Sequence, residues 1–368
     1  MFKLKLFVIL LCFLILTGCS VYTQKSKAEA FTTRDWAILD FTKADSINPI
    51  LEPSNDQVFF CPVSRKEVRW EERNVLNPSA VVKDGKVYLI YRAQDREMTS
   101  RLGLAVSDDG LHFKKQSSPV FYPDSDNMRK YEWKGGVEDP RVVEAEDGTF
   151  IMTYTAYDGK VARLCLATSR DLRTWVKHGM VLSEEKYRDT WSKSGAVVCR
   201  AEQGKIIAVK IKGKYWMYFG DTDLFMATSD DLIHWDVIEN EERNNLISVL
   251  HPRPGYFDSR LVEPGPFALL RENGILLIYN SSNAGSYNDP ELPKHAYSAG
   301  QALFDKVNPY RIIGRTESNF IHPDKPYEKT GEVNEVCFVE GLVYFHDQWL
   351  LYYGTADSKI AVATKKGK

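Results

Sequence analysis

The sequence predicts an all-β protein built as a five-bladed β-propeller. Three observations lead there. A turn signal followed by a β-rich run occurs five times, the copies recur at a nearly constant interval, and no stretch sustains a helical period. The copies are Lys83 to Tyr91, Glu146 to Tyr154, Lys212 to Phe219, Glu272 to Tyr279 and His346 to Tyr353. Their tyrosines, Tyr91, Tyr154, Tyr218, Tyr279 and Tyr353, lie 63, 64, 61 and 74 positions apart. An interval of that size holds a sheet of about four strands, and radial repetition of such sheets makes a propeller.

Taken from the amino terminus, Lys3 and Lys5 precede an apolar run from Leu6 to Leu16. That is the pattern of an export signal, and it is too short for a comfortable membrane span. Leu16-Thr17-Gly18-Cys19 resembles the lipobox of bacterial lipoproteins. The resemblance implies cleavage before Cys19, lipidation of its thiol, and a protein held at a membrane on the periplasmic side or the cell surface. Residues 1–18 are therefore expected as a signal peptide, 19–45 as a tether, and 46–368 as the propeller domain. Within the tether, the stretch from Phe31 to Phe41 is apolar enough to dock on that domain.

Each turn signal is preceded by an apolar run that makes a first strand. These runs are Ala80 to Val82, Val142-Val143, Ala196 to Val198, Phe267 to Leu270 and Val336 to Val339. The turns themselves carry Asp-Gly or Asn-Gly in three copies, the strongest short-range hairpin signal. Third strands follow at Leu102 to Val106, Leu164 to Thr168, Phe225 to Thr228 and Ile360 to Thr364. Three of them run into related Ser-x-Asp turns ahead of Phe113, Trp175 and Trp235. Tyr187 to Trp191 and Ser281 to His295 read as long loops, the places where a rigid scaffold carries specificity.

Composition narrows the function. The charge balance is 48 − 50 = −2, so there is no basic field for nucleic acid. Tryptophan and tyrosine are spread along the chain, which suits a β core and also suits ring faces that stack on sugars. Beyond Cys19, Cys61, Cys165, Cys199 and Cys337 lie far apart without a CxxC pair, so no zinc site is expected. Cys165, Cys199 and Cys337 sit in apolar strand patterns and are expected as buried free thiols. No metal or other cofactor is implied, and oligomeric state is not encoded in any pattern here.

The chemistry gathers around Gly135-Gly136-Val137-Glu138-Asp139-Pro140-Arg141. Pro140 lacks an N–H and suits the first residue of a strand. The segment reads as a loop delivering Glu138 and Asp139 to the mouth of a sheet. In a propeller, residues leading into the first strands share one opening. Here they are Asn77, Glu138, Asp139, Arg141, Lys193, Asp258, Glu263 and Glu335. Arg92, Asp95 and Arg101 flank the first repeat, and Asp357 follows the last. Convergent polar groups in a concavity mark function. Two carboxylates across a sugar bond are the equipment for glycoside cleavage, one protonated and one ionised.

Asn77-Pro78 with Tyr91-Arg92, then Gly136 to Arg141, Asp258, and Tyr352-Tyr353-Gly354 with Asp357 resemble glycoside hydrolase family 130 over nearly the whole mature chain. The resemblance implies a five-bladed propeller acting on β-mannosides by inversion, as hydrolase or phosphorylase. It implies that Asp139 is the general acid, working through a sugar hydroxyl as a proton relay. It implies that Arg92, Asp95, Arg101, Asp258 and Asp357 bind sugar. The family's phosphorylases carry a His-Arg pair after the third Gly-Lys-Tyr strand. Here Tyr218-Phe219-Gly220-Asp221 stands in that place. A carboxylate there repels phosphate and can deprotonate water, which makes Glu263 and Asp221 the candidates for the base. Lys193 remains able to contact an anion. The leading expectation is an exported, inverting β-mannosidase, with β-1,2 linkages as its target. The alternatives are a β-mannoside phosphorylase making mannose 1-phosphate, a non-catalytic glycan-binding lipoprotein, and a five-bladed glycosidase of arabinans or fructans.

Overall fold

The computed structural model describes residues 32–240, 242 and 245–367. The expected export signal and Cys19 lie outside the described residues. Thr33–Lys368 form one compact unit. It is all-β; among the described residues the α-helices are single turns, Thr33–Trp36, Arg129–Glu132 and Pro326–Lys329.

Successive antiparallel sheets follow the repeats. The first contains Asn74–Lys83, Lys86–Gln94, Ser100–Ser107 and Lys114–Lys115 in that order. The second contains Gly136–Glu144, Phe150–Tyr157, Ala162–Ser169 and Val176–Met180. The third runs Ala196–Glu202, Lys214–Phe219, Phe225–Ser229, Trp235–Val237. In the fourth, the interrupted strand Leu261–Pro264 and Ala268–Arg271 lies on Gly274–Ser282, followed by Tyr297–Phe304 and Ile312–Arg315. The last has Cys337–Phe345, Gln348–Thr355 and Lys359–Lys366, and its outer strand is Thr42–Lys43 from the other end of the chain.

Neighbouring sheets touch in sequence, through their first and second strands. Val142 N donates to Ser79 Oγ at 2.9 Å. Thr153 Oγ1 donates to Gly195 O at 2.7 Å. Val198 and Cys199 pair in parallel with Ala268 and Leu269. The Asn280 amide makes two bonds to the Val339 backbone, 2.9 and 2.7 Å. The last sheet then meets the first, where a Cβ on Gly341 would stand 2.8 Å from Pro78 O. Only glycine fits that approach.

The recurring tyrosine has a physical task. Tyr91 OH donates to Glu71, 2.9 Å, and Lys115 Nζ reaches the other oxygen, 2.7 Å. Tyr154 and Lys177 hold Glu132 likewise, at 3.0 and 2.5 Å. Tyr279 and Arg315 hold Asp258 at 2.8 and 2.6 Å. Tyr353 and Lys43 hold Glu328 at 2.9 and 2.7 Å. All four acids are fully buried. Each precedes its sheet; its tyrosine is on the second strand and its cation on the outermost. A buried carboxylate is costly unless paired and hydrogen-bonded, so each triad staples three parts of a sheet together. Opposite these tyrosines the third strand offers a small residue, Gly103, Cys165, Gly300 or Ala361. The third sheet departs: Met226 faces Tyr218, whose hydroxyl donates to Pro309 O at 2.6 Å.

Several sequence expectations need correcting. The tether is shorter than 19–45: the docking expected within Phe31 to Phe41 is seen from Thr33 onward, where Trp36 and Ile38 are core residues and the Ile38 backbone exchanges two hydrogen bonds with the Gln301 amide. A hairpin strand, Lys205–Ala208, precedes the third repeat, because Gln203-Gly204 forms a positive-φ turn. The fourth sheet has a third strand, Tyr297–Phe304, and Ser281 and Ser282 belong to the strand before it. Pro140 lies inside strand Gly136–Glu144, where a bulge between Glu138 and Arg141 removes the need for its missing N–H. Cys61, Cys165, Cys199 and Cys337 are buried free thiols.

Candidate active site

The first strands are each irregular at the same end. Asn77 has φ 48° at a register shift between Leu76 and Pro78. Asp139 has φ 49° at the shift between Glu138 and Arg141. A third shift lies between Val339 and Gly341, at Glu340. Ser194 has φ 60° just before the third sheet, and the fourth first strand breaks after Pro264. A bulge re-aims one side chain out of the alternating pattern. Left-handed φ at a residue other than glycine is strain that persists only where surroundings enforce it.

These irregularities bring most of the expected residues together. Asp139 accepts from Asn77 Nδ2 at 2.8 Å and Arg92 Nη1 at 3.1 Å, and Lys193 Nζ lies 3.3 Å from its second oxygen. Glu138 accepts from Arg92 Nη2 at 2.6 Å and Ser100 Oγ at 3.0 Å. Lys193 Nζ is also 3.6 Å from Glu263 Oε1, which accepts a hydrogen bond from Ser194 Oγ. The two distances to the shared ammonium, 3.3 and 3.6 Å, bound the Asp139–Glu263 oxygen separation at 6.9 Å. Asp221 stands nearby, accepting from Trp191 Nε1 at 3.0 Å, and its charge acts on both Lys193 and Glu263.

The charge states follow from burial and neighbours. Burial alone would raise Asp139, but Arg92, Lys193, Arg141 and the Asn77 amide outweigh it and hold its carboxyl well below the usual range. In the free protein Asp139 is an anion. Burial pushes Glu263 up, with Lys193 opposing. Burial also pushes up Glu138, against Arg92, and lifts Asp357 to about 6. An acid role for Asp139 and a base role for Glu263 therefore require a proton to be redistributed when substrate enters.

Other expected residues have different work. Arg141 is buried and donates to Gly265 O and Pro264 O, both 2.7 Å, and to Asp139 O at 3.0 Å, with Glu340 3.0 Å away. It ties the Asp139 strand to the Glu263 strand instead of facing sugar. Asp258 is the acid of the fourth sheet's tyrosine staple, also paired with Arg253 at 2.9 Å. Asp95 and Arg101 pair with each other at 2.7 Å, and Asp95 also accepts from the Glu97 and Thr99 amides. They line a cleft of about 560 Å³ with Trp133 and Lys134. Glu335 has φ 58°, and its carbonyl accepts from Tyr297 N at 2.8 Å.

Sequence reasoning missed Glu340 and Tyr297. Glu340 is fully buried and pushed well above the carboxylate range by that burial. It hides in an apolar strand, and only the Glu-Gly step inside that strand could have betrayed it. Tyr297 has a phenol raised by burial that senses Arg260, Glu263, Asp357 and Lys193.

Comparison with known proteins agrees with this picture. The model of glycoside hydrolase family 130, described as beta-1,4-mannooligosaccharide phosphorylase, matches residues 42–367. A 1,2-beta-oligomannan phosphorylase of Thermoanaerobacter sp. is 30% identical, over 85% of this chain and 96% of that one. A putative glycosidase structure from Bacteroides thetaiotaomicron superposes with a TM-score of 0.88 at 45% identity, covering 90% of this chain and 98% of that one. A structure from work on family hydrolases that target beta-1,2 mannosidic linkages in Candida mannan has a TM-score of 0.88 at 42% identity, covering 90% and 95%.

Proposed function

The chain belongs to glycoside hydrolase family 130, and from that premise we propose that it is an inverting hydrolase of β-mannosidic bonds, with β-1,2-linked oligosaccharides as substrates. The fold is read as a five-bladed propeller, supported by the successive antiparallel sheets and by the return contact of the last sheet on the first. Lipidation at Cys19 and anchorage outside the cytoplasm rest on the amino-terminal sequence pattern.

The observation that carries hydrolysis is the position of Lys193. Its ammonium already lies between Asp139 and Glu263, with Asp221 and Glu138 adding negative charge around it. A phosphate dianion brought to that ammonium would meet carboxylates on several sides, whereas a neutral water would find acceptors. Glu263, on a strand across from Asp139, takes a proton from that water as the oxygen attacks the anomeric carbon. Asp139 supplies the proton that the departing oxygen needs, through a hydroxyl of the sugar.

A phosphorylase is the second reading, favoured by the retained Lys193 and by the phosphorylase relative. Incubation with β-1,2-mannobiose, with and without phosphate, separates the two. The hydrolase releases mannose at the same rate in both, first as the α-anomer by proton NMR, and Glu263→Gln loses most of that activity. Phosphate-dependent formation of mannose 1-phosphate would hand the site to the second reading.

A further inference from the structure

Trp191 is half-exposed, unusual for so large an apolar side chain beside a buried charged cluster. Its surroundings fix it there. The indole Nε1 donates to Asp221 Oδ2 at 3.0 Å, and the ring stands edge-on to Tyr157, centroids 6.2 Å apart and planes at 69°. Tyr157 pairs with Gly136, which opens the strand carrying Glu138 and Asp139. The next three residues are anchored to the same place. Ser192 N donates to Ala162 O, Lys193 O accepts from Gly220 N, Lys193 Nζ meets Asp139, and Ser194 Oγ meets Glu263. An exposed indole is thus tied by its one polar atom to a carboxylate that acts on Glu263, two residues from the ammonium between acid and base.

We propose that Trp191, braced by Tyr157 and Asp221, forms a second sugar subsite, which receives the hexose ring joined to the one being cleaved. The chemistry matches that ligand. A pyranose presents an apolar face of C–H groups that packs on an aromatic plane, and an edge of hydroxyls that seeks acceptors. Here the plane is the solvent-open part of the indole, and the nearest acceptor is Asp221. A rigid aromatic with few rotamers loses little entropy on contact, which is why such residues dominate binding sites. This inference rests on the mannoside reading and adds that affinity depends on a second ring.

The test compares one ring with two. Binding of mannose and of β-1,2-mannobiose is measured by titration calorimetry in an Asp139→Asn background, alone and with Trp191→Ala or Trp191→Phe, and KM and kcat on the disaccharide are measured for the same Trp191 variants with Asp139 intact. Trp191→Ala is expected to weaken disaccharide binding and raise KM about tenfold, with kcat and mannose affinity little changed. Trp191→Phe, which keeps a ring face but drops the bond to Asp221, should retain most of the affinity. Equal losses for mannose and mannobiose would place the effect on Asp221 and the cleaved ring, and overturn the subsite. So would unchanged disaccharide binding in Trp191→Ala. A wild type that does not turn over the disaccharide, together with an Asp139→Asn parent that binds neither sugar, overturns the mannoside reading and the subsite with it.

Discussion

Removing the ammonium of Lys193 tests the electrostatic design of the site most directly. Lys193→Met keeps the length of the side chain and deletes the charge that lies 3.3 Å from Asp139 and 3.6 Å from Glu263. At an effective dielectric of about 20, each contact is worth roughly 5 kcal/mol before the surroundings relax. At 1.36 kcal/mol per pH unit, the ceiling on the change at Glu263 is about 3 units, and water entering the gap brings the expected shift to about 1–2 units. The sign is upward, because Lys193 is the main influence lowering a carboxyl that burial raises. If Glu263 is the base, the acid limb of the kcat/KM profile moves by that amount to higher pH. Activity then falls roughly tenfold or more at pH 6 and much less at pH 8. The assay is mannose release from β-1,2-mannobiose across pH 4–9, with and without phosphate. An acid limb that stays in place refutes the argument, as does a wild-type dependence on phosphate that vanishes in the variant.

Other substitutions separate chemistry from architecture. Asp139→Asn keeps the shape but cannot supply a proton, and should cost roughly two to four orders of magnitude in kcat with disaccharide binding retained; near-normal turnover would remove Asp139 from the mechanism. Asp258→Asn breaks a buried staple, which costs about 3–5 kcal/mol and lowers Tm by roughly 10 °C, while kcat/KM at 25 °C stays within about twofold; lost activity at unchanged Tm would return Asp258 to sugar binding. Asp357 is raised to about 6, so the stability it contributes is full below the ordinary carboxylate range and is lost as pH rises from there through 6. Asp357→Asn should therefore stabilise by up to about 3 kcal/mol at pH 7.5 and by roughly half of that at pH 5, read by thermal unfolding; an equal gain at both pH values would contradict the shift. Cys19→Ala should abolish lipidation, and an intact mass of the membrane-bound wild type without acyl chains would refute Cys19 as the anchor.

The repeat was legible because turn chemistry and strand alternation are local. Asp84-Gly85, Asp147-Gly148 and Asn273-Gly274 mark hairpins whatever the rest of the chain does. The extra strand Lys205–Ala208 was not legible, because Gln203-Gly204 and Lys212-Gly213 give equally good turns and only packing selects both. Most of the acidic cluster was legible as polar residues ahead of apolar runs. That rule does not say which way a side chain turns. Asp258 and Glu263 stand five residues apart with the same kind of neighbours, yet one closes a tyrosine staple and the other faces Lys193. Glu340 failed for the opposite reason, since one bulge turns an apparently apolar strand position toward Arg141.

Thr42 and Lys43 pair with Thr364 and Ala363, and Lys43 also completes the Tyr353 staple. The last sheet is thus clasped by the first and the last of the described strands. During synthesis, its outermost strand is made before every other described strand and waits for a partner made after all the sheets between them. Closing that loop costs about 3 kcal/mol more than closing a ten-residue turn, being about five doublings longer. The clasp closes across almost the whole described fold, so a chain truncated before Lys359 keeps the strands of the earlier sheets and leaves the last sheet unable to shut. Truncation before Lys359 should therefore open the fold to proteases and cost far more stability than the length removed suggests.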